Sequence, residues 1–250
     1  MDRNELARLL DTVLESAKFE DYSPNGLQVE GQKDVRRVLT GVTASQALID
    51  EAIRIGADTL VVHHGLFWRG ESSRVTGYRK ERLAALLRHE VNLFAYHLPL
   101  DAHSFLGNNA GWAAAMGWRA LGRFGRQSLG FYGEQETPCT LAELAARLAK
   151  TLRQTPLVIA PKEETMMIRR LAWCSGGAQG LLEEALPLGV DAYLSGEISE
   201  QTTHIAKESG VAYFACGHHA TERFGAQNLA LWLARETGLK ASFADFPNPA

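Results

Sequence analysis

One stretch of this chain occurs twice. At a constant offset and without a gap, residues of the first half meet identical residues in the second half, several of them polar. Two βαβ segments can resemble each other simply because both need glycine turns and apolar helices, but matched polar residues are not needed for packing. We therefore interpret the pattern as an internal duplication. The identical pairs are Arg36 with Arg169, Arg37 with Arg170, Gln46 with Gln179, Leu48 with Leu181, Glu51 with Glu184, Ala52 with Ala185, Gly56 with Gly189 and Asp58 with Asp191.

The duplication continues at a second, shorter offset, where Val91, Phe94 and Ala95 meet Val211, Phe214 and Ala215. Each copy alternates strands and helices, which is typical of α/β proteins. We expect an α/β fold of two similar, intertwined repeats with mixed sheets that face a central cleft. The first repeat is placed in residues 1–125 and the second in residues 126–250, with the C-terminal helix packing against the first repeat.

Apolar residues at helical spacing predict helices, and short apolar runs bounded by turn residues predict strands. The stretch from 65 to 80 is predicted to be a polar loop. The predicted helices are 3–17, 46–55, 81–89, 109–116, 141–152 and 220–237, and the predicted strands are 27–29, 38–42, 59–62, 91–96, 157–160, 168–174 and 242–246.

Composition excludes several classes of protein. A net charge of −3 over 250 residues gives no general attraction to nucleic acid or acidic membranes. No apolar run approaches the length of a membrane span, and the polar first residues predict a helix rather than a signal peptide. The 3 scattered cysteines lack the close spacing of a thiolate zinc site and indicate a reducing compartment, so we expect a cytoplasmic protein.

The apolar run of the strand 59–62 ends in His63, His64 and Gly65. Ligands of open α/β sheets bind at the carboxyl ends of strands, so this pair lies where a site is expected. Adjacent strand residues point to opposite faces. We therefore expect the two histidines to sit where the strand ends, with Gly65 allowing the backbone to turn.

Most histidines of the chain follow a predicted strand, as His63 and His64 do, and two carboxylates lie near them in the sequence. A single histidine is most simply a hydrogen-bonded core residue, but burying several imidazoles and carboxylates without a cation costs several kcal/mol. Nitrogen and oxygen donors together suit Zn, Mn, Fe, Co or Ni. We assign two divalent ions, about 3.5–4 Å apart. The predicted direct ligands are His63, His64, Asp101, His218 and Glu222.

Other residues are expected around these ions. His97, His103 and His219 also follow predicted strands and are candidates to orient ligands or to face a substrate. Glu197 occupies the repeat position of His64, so it is either a general base that positions water or a structural acid. The candidate catalytic residues are Glu197 and His97.

Three further side chains have open roles. Trp68 can stack on a ring of a substrate or cover the site by packing. Arg69 and Arg223 lie beside predicted strand ends and can neutralise an anionic substrate.

Five separated motifs resemble those of the NIF-three-like family, whose bacterial members are often labelled GTP cyclohydrolase I type II-like. The resemblance implies a two-repeat α/β fold, a dinuclear metal centre in the cleft and a ring-shaped homohexamer. In that family the ligands fall on the positions of the five residues assigned above. The motifs are Asn25-Gly26-Leu27-Gln28-Val29, Thr40-Gly41-Val42-Thr43, Val62-His63-His64-Gly65, His97-Leu98-Pro99-Leu100-Asp101 and Gly217-His218-His219-Ala220-Thr221-Glu222.

These features favour a metal-dependent hydrolase in which two ions share a water and lower its pKa to generate hydroxide. Ring opening of a purine-type base fits, as in a cyclohydrolase, and so does hydrolysis of a phosphoester or amide. The alternative is a non-catalytic metal store, sensor or scaffold that acts through a ring-shaped oligomer. Binding of single-stranded nucleic acid is a weaker hypothesis because the chain is acidic.

Overall fold

The computed structural model describes residues 1–161 and 166–250, which form two compact units. Unit 1 comprises residues 1–107 and 225–246, and unit 2 comprises residues 108–224 and 247–250. The division at 125 and 126 follows the repeated motifs, whereas the compact units follow packing. Residues 108–125 therefore belong to unit 2, and the greater part of the last helix belongs to unit 1.

Unit 1 contains a mixed five-stranded sheet in which four neighbouring strands are parallel and one edge strand is antiparallel. The strand order is β1-β4-β3-β2-β11. The strands are β1 (Gly26–Val29), β2 (Arg37–Thr43), β3 (Thr59–His64), β4 (Asn92–Ala95) and β11 (Lys240–Phe243). The helices are α1 (Arg3–Val13), α2 (Gln46–Ile55), α3 (Gly77–Arg88), α4 (Leu98–Ala102) and most of α10 (Arg223–Thr237).

Both faces of the unit 1 sheet are covered. On β3, Leu60 and Val62 belong to one apolar cluster, whereas Val61 between them belongs to another. All three side chains are buried. A strand that is apolar on both faces is typical of a parallel sheet between two layers of helices, and it explains the continuous apolar run before the histidines.

Unit 2 contains a mixed six-stranded sheet with a parallel centre of three strands. The strand order is β5-β6-β8-β9-β10-β7. The strands are β5 (Trp118–Phe124), β6 (Gly130–Thr140), β7 (Leu157–Ile159), β8 (Met167–Cys174), β9 (Ala192–Ser195) and β10 (Ala212–Ala215). The helices are α5 (Asn108–Met116), α6 (Leu141–Leu152), α7 (Leu182–Ala185), α8 (Glu200–Ser209) and α9 (His218–Thr221).

The duplication predicted from the sequence is supported by equivalent hydrogen bonds in the two units. In unit 1, Oδ2 of Asp58 accepts from the backbone N–H groups of Arg36 and Arg37 at 2.9 and 3.0 Å. In unit 2, Oδ2 of Asp191 accepts from the equivalent two N–H groups at 2.8 Å each. Each carboxylate thus satisfies two main-chain donors at or near the start of a strand inside the sheet. The aspartate that the two repeats share is therefore explained by its hydrogen bonds to the main chain.

The predicted class, two mixed α/β sheets, is confirmed, and α2 and α6 end as predicted. Helix α3 begins at Gly77 rather than at residue 81, and α1 ends at Val13 rather than at residue 17. The strands β5 and β6 were not predicted. Most residues of β5 are exposed or half-buried, so this strand has no apolar alternation to reveal it.

The segment of unit 2 that corresponds to α2 has a different local structure. It consists of a 3₁₀ turn at Gln179–Leu181, the short α7 and a second 3₁₀ turn at Leu186–Leu188. Pro187 lacks the N–H that a continuing α-helix would use, which accounts for the break.

Among the described residues, no helix combines the length and the apolar character that crossing a bilayer requires.

Replacing Asp58 by Ala should lower the free energy of unfolding by about 1–3 kcal/mol, because two partly buried backbone donors lose their acceptor. The isosteric Asp58→Asn variant keeps one acceptor oxygen and should lose less. Urea denaturation followed by circular dichroism measures both. Equal stability of the wild type and the alanine variant would contradict the role given to this carboxylate.

Candidate metal centre

His63 is the next-to-last residue of β3 and is 0% exposed. Its Nδ1 lies 3.0 Å from the backbone carbonyl oxygen of Tyr96, just beyond β4. A carbonyl oxygen can only accept, so Nδ1 must carry the proton and donate it. The ring therefore presents Nε2 as its electron-pair donor, which is the tautomer that a metal ligand needs.

His64 ends β3, and its ring centroid lies 4.5 Å from that of His63. Its Nδ1 lies 3.3 Å from Oγ1 of Thr43 on the neighbouring strand β2. The two histidines lie at the strand end, as the sequence predicted.

Gly65 has a different purpose from the one expected. Its φ is not in the left-handed region. A Cβ at this position would lie 2.1 Å from Oε1 of Gln28, and that oxygen accepts from the N–H of Leu66 at 2.8 Å. Gly65 therefore provides room for Gln28 rather than freedom to turn.

His97 follows β4, and Nδ1 of its buried ring lies 2.9 Å from Oδ1 of Asp21. Burial alone would raise the pKa of Asp21. The hydrogen bond and charge of His97, with a further hydrogen bond from Asn25, instead hold the pKa of this carboxyl well below its usual range. Asp21 is therefore an ionised acceptor that fixes the orientation of His97.

Asp101 lies in the first turn of α4 and is 6% exposed. Its Oδ1 lies 3.6 Å from Nε2 of His63. This separation is too long for a direct hydrogen bond. Two donor atoms that each lie about 2.1 Å from one ion are themselves about 3.0–3.6 Å apart. The separation therefore fits two ligands of the same cation.

One atom of each ring of His63, His64 and His97 lies within 4.8 Å of the others. The rings come from the ends of β3 and β4, which are parallel neighbours, so the sheet brings them to the same edge. With the carboxylate of Asp101, unit 1 offers nitrogen and oxygen donors of the types that bind first-row divalent metals. The residues present thus fit a metal ion.

In unit 2, His218 lies between two carboxylates. Its Nδ1 lies 2.7 Å from Oε1 of Glu197, and its Nε2 lies 3.2 Å from Oε2 of Glu222. Burial alone would lower the pKa of His218, but the hydrogen bond and charge of Glu222, followed by those of Glu197, raise it to about 9. Unit 2 therefore presents one imidazole and one buried carboxylate at the short helix α9, with Glu197 orienting the imidazole.

The loop after β8 makes this arrangement possible through Gly176. Its φ is +66°, and an added Cβ would lie 2.2 Å from Oε1 of Glu222. The N–H of Gly176 donates to the hydroxyl of Thr221 at 3.0 Å, which ties the loop to α9. Gly176 therefore leaves room for the carboxylate of Glu222, which a larger residue would displace.

The other predicted residues have structural contacts. Nδ1 of His103 accepts from the N–H of Leu106 at 3.1 Å, and the N–H of His219 donates to the carbonyl of Ala250 at 3.0 Å. The Arg69 guanidinium donates to the carbonyl of Asp21 at 2.8 Å.

Arg223 likewise donates to a main-chain carbonyl, that of Leu152, at 2.6 Å. Trp68 packs edge-on against His97 and His64, with ring centroids 5.1 and 5.6 Å away.

The sequence analysis did not identify Asp21. Its Oδ1 accepts from the N–H groups of Tyr22 and Ser23 at 2.7 and 3.2 Å, so Asp21 begins a turn. The same carboxylate also binds His97, far along the chain. The only available signal was its position four residues before Asn25, which opens the first motif and whose Oδ1 accepts from the N–H of His97.

The fold and these donor groups define a mixed α/β protein with histidine and carboxylate side chains able to bind a metal ion. Two solved structures share its fold over 100% of both chains. A protein called ybgI, described as of unknown function, is 47% identical with a TM-score of 0.95. A protein from Thermus thermophilus is 36% identical with a TM-score of 0.91.

The family model described as Duf34/NIF3 (NGG1p interacting factor 3) matches residues 1–249, and the chain belongs to this family. A Yersinia pestis relative called GTP cyclohydrolase 1 type 2 homolog is 50% identical over 249 residues, 98% of each chain. An Escherichia coli K12 relative with the same name is 47% identical over 250 residues, 100% of each chain. The family resemblance recognised from the five motifs is therefore confirmed.

A Gly176→Ala variant should be less stable than the wild type by about 1–3 kcal/mol, because the residue would be strained at positive φ and would press on Glu222. Gly180→Ala is the matched control, since nothing lies within 4 Å of its added Cβ and its φ is not in the left-handed region. Urea denaturation of the metal-free proteins gives both values. Equal stability of the two variants would show that the space at Gly176 is not needed.

Proposed function

We propose that this chain is a dinuclear metal-dependent hydrolase. In this proposal the two divalent ions are bound by five side chains: His63, His64, Asp101, His218 and Glu222. The orientation of the imidazoles is the observation that carries it. The Tyr96 carbonyl holds Nδ1 of His63, and the Glu197 carboxylate holds Nδ1 of His218. Metal-binding histidines in proteins almost always have such a partner on the second ring nitrogen.

The donor set indicates the kind of ion. Imidazole nitrogen with carboxylate oxygen suits Zn, Mn, Fe, Co or Ni, and no cysteine is among the proposed ligands. Two such ions, when bound, would polarise the bond under attack and acidify a water molecule.

Glu197 is the residue that we propose to accept a proton from the attacking water. Its side chain is 46% exposed, so solvent reaches it, and its Oε1 lies 2.7 Å from Nδ1 of His218. The amide nitrogen of Gln179 lies 3.4 Å from Oε2 of Glu197, which is long for a hydrogen bond. One carboxylate oxygen can therefore orient His218 while the other takes up a proton.

We propose a small, nucleotide-type substrate. The support is the name of the relatives, GTP cyclohydrolase 1 type 2 homolog, together with a cavity in unit 1. This cavity has a volume of about 260 Å³ and is lined by Trp68, Phe67, Arg74 and other residues. Aromatic faces and a guanidinium suit a planar base and an anionic group.

A cytoplasmic location and a ring-shaped homohexamer complete the proposal. The 3 cysteines are buried and form no disulfide, as expected in a reducing compartment. The hexamer is implied by the family resemblance, and exposed apolar side chains such as Leu231 and Phe105 are compatible with further contacts. Light scattering should give six times the chain mass of 27.4 kDa, and the mass of a monomer would exclude the ring.

The hydrolase proposal is tested with protein reconstituted with Zn, Mn, Fe, Co or Ni and assayed against GTP, other nucleotides, phosphoesters and amides. We expect metal-dependent turnover of at least one nucleotide-type compound, reduced at least roughly 100-fold in Glu197→Gln if this residue is the base. Full metal occupancy without turnover of any compound would contradict the proposal and favour a metal store or scaffold.

Asp101→Ala should lose much of its bound metal yet remain folded, because the apolar cores lie within the sheets and not at the strand ends. Metal content by mass spectrometry and thermal unfolding of the metal-free protein measure the two effects. Asp50→Ala, an exposed carboxylate on α2 of the same unit, is the matched control. If Asp101→Ala keeps as much metal as this control, Asp101 is not a ligand.

A further inference from the structure

A groove in unit 1 lies at the edge of the sheet opposite to the candidate metal centre. Its lining includes Arg37 and Lys240, the first residues of β2 and β11. It also includes Asp58 and Val91, which directly precede β3 and β4. Because these four strands are parallel, the groove lies at their amino ends. We call it the amino-edge groove.

The amino-edge groove has the size of a binding site for a small molecule. Its volume is about 620 Å³. Ligand sites in proteins typically have volumes of about 300–1,000 Å³. Ile53, Ile55 and Val91 give the groove an apolar wall, and Gln32 and His89 add polar groups. It therefore suits a ligand that combines a polar group with an apolar or planar body.

Positive charge dominates this groove. Arg36, Arg37 and Lys240 line it, and among the described lining residues Asp58 is the one carboxylate. Both oxygens of Asp58 are already used. Oδ2 accepts from the backbone N–H groups of Arg36 and Arg37, and Oδ1 accepts from the Thr59 hydroxyl at 3.0 Å. The groove thus has an excess of positive charge.

The pairing of β11 with β2 places two of these cations side by side. Lys240 is the register partner of Arg37. Register partners lie on the same face of a sheet, and like charges at such positions repel each other. A bound anion would remove this repulsion.

The second repeat has the opposite charge at the same position. Arg170 is the repeat mate of Arg37, and its register partner on β6 is Glu134. Nε of Arg169 lies 3.9 Å from Oε2 of Glu134. The hydrogen bond of Arg119, with the charges of Arg119, Arg169 and Arg170, lowers the pKa of Glu134. In unit 2 an acid of the chain thus compensates the shared arginine pair, whereas in unit 1 a lysine adds to it.

Stabilisation of a helix end is a simpler role for such cations. The Arg37 guanidinium donates to the carbonyl of Ile55, the last residue of α2, and basic groups stabilise the carboxyl end of a helix. This contact explains Arg37 but not Lys240, which begins a strand. Arg36 and Lys240 are exposed and can be solvated. Solvation does not explain, however, why cations from distant segments of the chain line one groove.

We propose that the amino-edge groove binds a small molecule that carries a phosphate group. A phosphate monoester has nearly two negative charges near pH 7, which suits a groove with several cations. Arg36 and Lys240 donate charge-assisted hydrogen bonds to the phosphate oxygens, and Ile53 and Ile55 contact the rest of the molecule. The inference is independent of the proposed hydrolase, because no candidate metal ligand lines this groove.

Lys240→Glu tests the inference, because it gives unit 1 the charge that Glu134 gives unit 2. Titration calorimetry of the full chain uses inorganic phosphate, AMP and adenosine as probes. We expect the wild type to bind AMP, and Lys240→Glu to bind it at least roughly 10-fold more weakly. AMP that binds elsewhere on the chain, including at metal ions, would bind equally to this variant. The loss therefore reports the groove alone.

Two further variants separate the groove from a general effect of charge. Arg36→Gln should also weaken AMP binding at least roughly 10-fold, since one charge-assisted hydrogen bond is lost. It leaves the contacts of Asp58 intact, because these use the backbone N–H. Lys80→Glu is the matched control, since it makes the same change of charge at an exposed position of α3 outside the groove. This control should bind AMP as the wild type does.

Thermal unfolding separates ligand binding from a structural role of Lys240. Without an anion, Lys240→Glu should be at least as stable as the wild type, because a pair of opposite charges replaces a pair of like charges. Phosphate and AMP should raise the Tm of the wild type more than that of the variant. If Lys240→Glu does not fold, Lys240→Gln, which only removes the charge, takes its place.

Equal affinity of the wild type and Lys240→Glu for AMP would overturn the inference, and so would a wild type that binds neither AMP nor phosphate. Adenosine binding as tight as that of AMP would overturn it as well, because the phosphate would then not be recognised. An equal loss of affinity in Lys80→Glu and Lys240→Glu would show an effect of net charge and would also overturn it.

Discussion

In each unit, the orientation of the candidate ligands depends on one type of interaction, the hydrogen bond that holds Nδ1 of a histidine. In unit 1 the partner is a backbone carbonyl for His63 and a buried carboxylate for His97, and in unit 2 it is Glu197 for His218. Each bond fixes the orientation of the ring and leaves Nε2 on the side of the ring away from that partner.

The internal duplication supplies the frame for these bonds. Asp58 and Asp191 satisfy equivalent main-chain donors at or near the start of a strand inside the sheet of each unit, and a parallel strand order brings the strand ends to one edge. The two copies then differ at those ends. Where unit 1 has His63 and His64, unit 2 has Gly196 and Glu197. Gly196 permits a close approach of backbone, since an added Cβ would lie 2.7 Å from the Gly176 carbonyl oxygen.

Much of this could be predicted from the sequence, because apolar runs and matched residues report burial and topology directly. The buried strand before His63 and the helix 46–55 are examples, and Ser45 caps this helix by accepting from the N–H of Leu48. What escaped prediction depends on contacts between distant residues. The link from Asp21 to His97 and the fit of Gly176 against Glu222 leave no periodic pattern. Strand β5 was missed because it is largely solvent-exposed, and Gly65 was misinterpreted because its neighbour Gln28 is remote in sequence.

We propose that oriented imidazoles and carboxylates of this chain bind a pair of divalent ions. X-ray absorption at the zinc K-edge of the reconstituted protein tests it most directly. The account predicts nitrogen and oxygen neighbours at about 2.0–2.2 Å, with the multiple-scattering signature of imidazole and no sulfur near 2.3 Å. It also predicts a second zinc about 3.5–4 Å away. A sulfur shell, or a zinc with neither imidazole nor metal neighbours, would contradict the account.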